Sequence, residues 1–297
     1  PYVNPPKPVG LALLSDAGVE YITNLDDMAH HARQVLSGDW DVLGHNIQYD
    51  LAVAEKWFGL EPPPWQRVHD TMFLTFLADP HAEDLGLKPS ADRYLGMPAD
   101  EQDELKSWIL SNVAGAKIKT WGAHICKAPV ELVAKYAIGD VVRTERLYRH
   151  LIDRCPKEAY DRERRLAPIL RESSRRGIRL DCARLQADIA TYTGALAACD
   201  ERLRAITGCP SLNPGSPTQL ASALESSGLI TEWVKTPTGK NSTSKKNLIC
   251  KDKELLNLLN YRGTLDTCLG TFMIPWEEQA RGDSRIHSQW NQVRGFE

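Results

Sequence analysis

The pattern that most limits the fold of this chain is a change of rhythm near residue 70. Before it, short apolar or β-branched runs alternate with helix-like stretches. Val9 to Ser15 and Val19 to Thr23, separated by Asp-Ala-Gly, read as a hairpin. Asn24 ahead of Leu25, Asp26 and Asp27 reads as an N-cap with acids in the first turn of a helix running to about Leu36. Asp41 to Gly44 follows as a short buried strand and Asp50 to Phe58 as a helix. From Thr71 onward nearly everything is helical, in segments near 71–78, 88–95, 101–111 and 129–153 punctuated by Pro80, Gly96, Pro98 and Pro129. Long helices are expected at 157–176 and 182–206, with a brief strand at 178–180 between them. Strands alternating with helices imply an α/β sheet. The expected fold class is therefore α/β, then mainly α: a mixed sheet flanked by helices over residues 1–153, and a helical body over 154–297.

With 297 residues, the chain can bury two cores. No apolar run approaches the roughly 18 residues that span a bilayer, and Val9 to Leu14 is too short for a signal segment. A cytoplasmic protein without membrane contact is expected. Seven cysteines, at 126, 155, 182, 199, 209, 250 and 268, form no CxxC pair and read as reduced thiols, not as a zinc site. A net charge of −3 leaves nucleic acid open as a partner, because only a local basic surface is needed. Between 235 and 253, six lysines face the single acid Asp252, which suits either a solvated loop or a phosphate-contacting tip. The opening on Pro1, directly into a strand-like run, leads to the expectation that both ends are cut.

Two carboxylates stand out by context. Asp50 closes the string LGHNIQYD (43–50), where a buried strand gives way to a helix. Asp140 ends YAIGD (136–140), and Tyr136, four residues earlier, lies on the same helix face. The spacing alone leaves a structural role open for each aspartate, since an Asp at a helix start is more often a cap than a ligand and a Tyr four residues before an Asp occurs by chance in many helices.

LGHNIQYDLAV resembles the second exonuclease motif of the DEDD superfamily, and YAIGDVVRTERLY (136–148) resembles the third motif in its Tyr-containing form. HDTMFLTFLADP (69–80) is similar to the helix start between the two, and the order and spacing match proofreading domains of family A DNA polymerases, the DNA polymerase I-like group. RLAPILRESSRRGIRLD (165–181), LNPGSPTQLASAL (212–224), TPTGKNSTSKKNL (236–248), LLNYRGTLDTCLGTF (258–272) and RIHSQWNQ (285–292) resemble, in family order, the start of the polymerase body, its thumb and the strand leading to its palm.

The resemblance implies an RNase H-like 3′→5′ exonuclease domain followed by a helical thumb region. Two divalent ions, Mg²⁺ or Mn²⁺, would be held in part by Asp50 and Asp140, and Tyr136 would orient the attacking water. His45, Asn46 and Tyr49 would lie near the terminal nucleotide. Lys240, Ser242, Thr243, Lys245, Lys246 and Arg262 would contact DNA. The implied partners are a primer-template, a single-stranded 3′ end and, for the complete enzyme, deoxynucleotides. The Asp-x-Glu pair of the first motif has no counterpart ahead of the Val9 to Ser15 strand, and the palm aspartates are not in the sequence, so this chain alone is expected to be incomplete for both activities. Two other functions remain open: a stand-alone RNase D-like exonuclease, and a non-catalytic DNA-binding module with a degenerate exonuclease site.

Overall fold

The computed structural model describes residues 4–230, 232–244, 246–250 and 252–293. The chain divides into two compact units, one formed by residues 1–176 and 287–297 and the other by 177–286.

Unit 1 begins with a hairpin, β1 (Leu11–Ser15) antiparallel to β2 (Gly18–Ile22), with Leu11 opposite Ile22. Helix α1 (Leu25–Ser37) starts where expected, because the Asn24 side chain accepts from the backbone N–H groups of Asp26 and Asp27. Strand β3 (Val42–Gly44) leads into α2 (Gln48–Phe58) and pairs in parallel with β4 (Val68–Asp70), Gly44 lying opposite Asp70. Helices α3 (Thr71–Ala78), α4 (Leu87–Leu95), α5 (Asp100–Asn112) and α6 (Val130–Leu151) follow, α6 opening just after Pro129.

The last long helix of the unit, α7 (Lys157–Arg176), buries Tyr160 and Ala167 in the same core as Phe73 and Leu74 of α3 and Leu147 and Leu151 of α6. The expected junction at 153/154 thus falls inside a continuous core, and the compact unit runs on to Arg176. A separate apolar cluster joins α5 to α6 through Leu105, Ile109 and Val133, with Tyr136 packed against it.

Unit 2 pairs the two-residue strands β5 (Ile178–Arg179) and β6 (Arg285–Ile286). Between them run α8 (Cys182–Thr207), capped by Asp181, α9 (Pro217–Ser226), capped by Ser216, and α10 (Lys253–Thr267), which continues through a π-helical turn at 268–273 into α11 (Ile274–Gln279). Leu203, Leu220, Leu224, Ile230, Leu255 and Leu259 close its core.

The α/β start and mainly helical remainder agree with the expected class, 59% of the described residues being helix. Antiparallel and parallel pairing are both present in the first unit, but as separate two-stranded ladders among the described residues. A strand over 285–292 was also expected. Pairing stops at Ile286, and beyond it the chain packs on unit 1, where the Gln292 amide donates to the Glu163 backbone oxygen at 2.7 Å. All seven cysteines are unpaired, and no described helix is long and apolar enough to cross a membrane.

Candidate active site

The β3–α2 turn is built around a buried carboxylate that the sequence did not single out. Asp70, at the end of β4 and 1% exposed, caps α3 by accepting from Met72 N at 2.9 Å. It also accepts from Asn46 N at 2.8 Å and Ile47 N at 3.1 Å, tying the turn to the neighbouring strand. Burial pushes its carboxyl up to about 6, outweighing the three amide bonds that favour the charged form. The turn is tight: Asn46 takes φ 57°, and a Cβ at Gly44 would come within 2.8 Å of Ile47 Cβ. Asp50 thereby enters the first turn of α2 at a fixed angle.

Asp50 is open to solvent on one side yet surrounded by protein on the others. Its carboxyl is raised above the usual range by that crowding first, then by the charges of Asp70 and Asp140. The last and smallest contribution bears on function: Asp140, 90 residues away in sequence, lies near enough in the folded unit for its charge to act on Asp50. Asp140 sits on α6, where burial raises it and Lys88, Tyr136 and Arg143 act in the opposite direction. The Tyr136 phenol bonds the Asp140 carboxylate, and burial followed by the Asp140 charge holds its pKa far above the ordinary tyrosine value. Tyr136 is consequently a neutral hydrogen-bond donor at physiological pH.

Two neighbours of Asp140 were not anticipated. Lys88, the second residue of α4, forms an ion pair with Asp140 Oδ1 and lies 4.2 Å from the centroid of the Tyr136 ring. A lysine in the first helical turn opposes the helix dipole, and that local mismatch was the available signal that it answers to a distant carboxylate. Arg143, one turn beyond Gly139, is paired with Glu101 of α5 in a nearly solvent-free contact. A Cβ at Gly139 would meet the ends of the Arg143 and Glu101 side chains, Nη1 and Oε1, both at 2.8 Å, so that this pair would have to shift to admit it.

His45 Nδ1 lies 2.9 Å from the Thr71 hydroxyl, which in turn donates to the Gly44 carbonyl at 3.3 Å. Burial, reinforced by Lys88, lowers His45 to about 4, so the ring is uncharged near neutrality. Tyr49 is half-buried on α2, its hydroxyl raised by burial and then by Asp50. Among the described residues, no group of three or more His, Cys, Asp or Glu side chains is gathered to hold a metal ion. The fold therefore assembles Asp50, Asp140, Tyr136 and His45 in one region of unit 1 and adds Asp70 and Lys88 to them.

The expected DNA contacts in unit 2 fare differently from one another. Lys240 and Lys246 are exposed and Thr243 is half-buried, whereas Lys245 lies outside the described residues. Ser242 is buried and its hydroxyl turns inward, accepting from the Asn247 amide at 3.0 Å and donating to Ser244 Oγ at 3.3 Å. Arg262 is buried as well, its Nε donating to Asp200 Oδ1 at 2.8 Å. Arg262 is held by a partner that only packing brings near, α8 supplying Asp200 to α10, whereas the partners of Ser242 lie within five residues of it in sequence.

A family model described as a 3′-5′ exonuclease, that of the DNA polymerase A type, matches residues 15–155. A comparison with curated protein sequences gives no match. Among solved structures, the POL domain of Pol1 from M. smegmatis, in complex with a DNA primer-template and dNTP, matches with a TM-score of 0.67 and 19% identity, over 97% of this chain and 47% of that one. At that identity the likeness speaks for the fold, and the chain spans less than half of that structure's length. Residues 15–155 therefore match a 3′-5′ exonuclease domain of the DNA polymerase A family, and the fold of nearly the whole chain is like that of the Pol1 POL domain.

Proposed function

We propose that this chain is the part of a family A DNA polymerase that removes nucleotides from a single-stranded 3′ end and begins the polymerase body. On this reading, residues 1–153 do the proofreading and 154–297 lead into the thumb. The observation that carries it is the nearness of Asp50 on α2 to Asp140 on α6, whose charge reaches it, together with the Tyr136 phenol bonded to Asp140.

The donor set fits a hard divalent cation in kind. Asp50 and Asp140 offer carboxylate oxygens, and a cation already rests on Asp140 in the form of the Lys88 ammonium. Mg²⁺ or Mn²⁺ bound there would supply activation of a water and neutralisation of charge on the leaving oxygen. Tyr136, protonated and donating, is suited to hold a water's lone pair or a phosphate oxygen, and its raised pKa makes it unsuited to act as a base. His45, uncharged, can position a nucleotide by hydrogen bonding but brings no positive charge to a phosphate. In unit 2, the exposed Lys240 and Lys246 support a sequence-independent hold on duplex backbone. A cytoplasmic enzyme of DNA replication, with deoxynucleotides as substrates of the complete polymerase, follows from the same reading.

The test is Asp140→Asn in the protein at its full length, assayed for Mg²⁺-dependent digestion of single-stranded DNA and, separately, for primer extension. Loss of digestion with extension kept is the expected result. Undiminished digestion would remove Asp140 from the reaction. A second reading, a DNA-binding module whose hydrolytic site no longer works, is favoured by one observation, the Lys88 ammonium on Asp140. That reading predicts retained DNA binding with no digestion in the unaltered protein.

A further inference from the structure

Lys88 is held where a divalent cation at Asp140 would have to sit. Its side chain is only 10% exposed, its ammonium pairs with Asp140 Oδ1, and the Tyr136 ring lies 4.2 Å beneath it. Its charge is also felt at His45 and Glu101. A buried ammonium is costly unless paired, and Asp140 is the one carboxylate that the structure pairs with Lys88 among the described residues. A divalent ion approaching Asp140 would contend with the ammonium for the same carboxylate oxygen and would be repelled by its charge at short range.

We propose that Lys88 is a built-in competitor for the cation position at Asp140. In the metal-free protein it neutralises Asp140, and a divalent ion binds only as the ammonium withdraws. The affinity of the site for metal is then set by Lys88 as much as by the carboxylates. This rests on the reading of Asp50 and Asp140 as cation ligands. It gives Lys88 a role distinct from theirs, that of a positioning residue acting through Asp140.

The experiment is a titration of the chain with Mn²⁺, free ion being followed by electron paramagnetic resonance. It compares the unaltered protein with Lys88→Met, Asp140→Asn, the double variant and Lys135→Met. Lys88→Met keeps the apolar stem over Tyr136 and removes the charge. Lys135→Met removes the same charge from the same helix as Asp140, but from an exposed pair with Glu104. Lys88→Met is expected to bind Mn²⁺ about tenfold more tightly or better, with the gain abolished when Asp140→Asn is added. Lys135→Met is expected to stay within about twofold of the parent. Where Lys88→Met lowers the melting temperature, Lys88→Gln serves in its place with the same direction expected.

Unchanged or weaker binding in the Lys88 variants overturns the proposal, as does an equal gain from Lys135→Met, which would make the effect one of net charge. If Asp140→Asn abolishes Mn²⁺ binding while Lys88→Met does not tighten it, the competition falls and the metal reading of Asp140 stands. If Asp140→Asn changes nothing in either background, both fall together.

Discussion

The surroundings of Asp140 in unit 1 and the lysine segment around residues 235–246 in unit 2 are both rich in charge, but they hold it in opposite ways. Around Asp140, Lys88, Glu101 and Arg143 are largely removed from water, and each has a specific partner. In the lysine segment, Lys235, Lys240 and Lys246 project into solvent from a loop pinned by isolated bridges between Trp233 and Leu248 and between Lys235 and Asn241. Buried charges act one by one, because low dielectric makes each pairing strong and each loss costly. Exposed charges act by number, because water and salt screen each of them. The first arrangement suits chemistry at a fixed point and the second a hold on a polyanion in many registers.

The contrast breaks most sharply at Asp140. In the full-length protein, Asp140→Asn should reduce metal-dependent digestion of single-stranded DNA by roughly a thousandfold, the loss expected when several kcal/mol of charge stabilisation vanish. A drop of only a few-fold in single-turnover digestion would put Asp140 outside the reaction.

Next in size is the Glu101–Arg143 pair. Arg143→Ala leaves a carboxylate in a nearly dry contact and should destabilise unit 1 by about 3–5 kcal/mol. Chemical denaturation would reveal this, and a loss below about 1 kcal/mol would mean that water reaches the pair. Gly139→Ala should act in the same direction, since the added methyl meets both partners.

Asp70 gives a pH signature. Its folded pKa of about 6 lies above the ordinary 3.8, so the folded state holds the proton more tightly. Its contribution is therefore fully present below about pH 4 and is lost as pH rises through about 6, a decline of up to roughly 3 kcal/mol. Melting curves across that window should show the decline in the parent, and Asp70→Asn should flatten it. A parent whose stability rises between pH 4 and 6 by an amount that Asp70→Asn abolishes would mean that the three amide bonds outweigh burial.

The smallest effects belong to the lysine segment. Lys240→Ala with Lys246→Ala should leave stability within about 0.5 kcal/mol. The same pair of changes should lower the slope of log affinity against log salt for duplex DNA by about 0.9 for each phosphate left without its lysine. The decrease should be alike for unrelated sequences. An unchanged slope would reduce these lysines to a solvated cluster.

Much of this molecule is local and was therefore legible in the sequence. The helix starts at Asn24 and Pro129 were so read, because a cap or a missing N–H acts within one turn of chain. The i,i+4 spacing of Tyr136 and Asp140 likewise guaranteed that phenol and carboxylate would share a face, and the order of motifs indicated that Asp50 would meet them. Tertiary structure alone decided the partners. Lys88 reaches Asp140 across 52 residues, Asp70 draws the Asn46 and Ile47 amides across 24 and 23, and Asp200 claims Arg262 across 62. Ser242 turned inward although its neighbours promised a surface. Residues 287–293 joined the first unit although they follow the second in sequence. The physical reason is common to all of these: burial of charge and polar groups is tolerated only where a complementary group is delivered by packing. Which group arrives depends on how α4, α6, α8 and α10 stack, and no stretch of sequence carries that on its own.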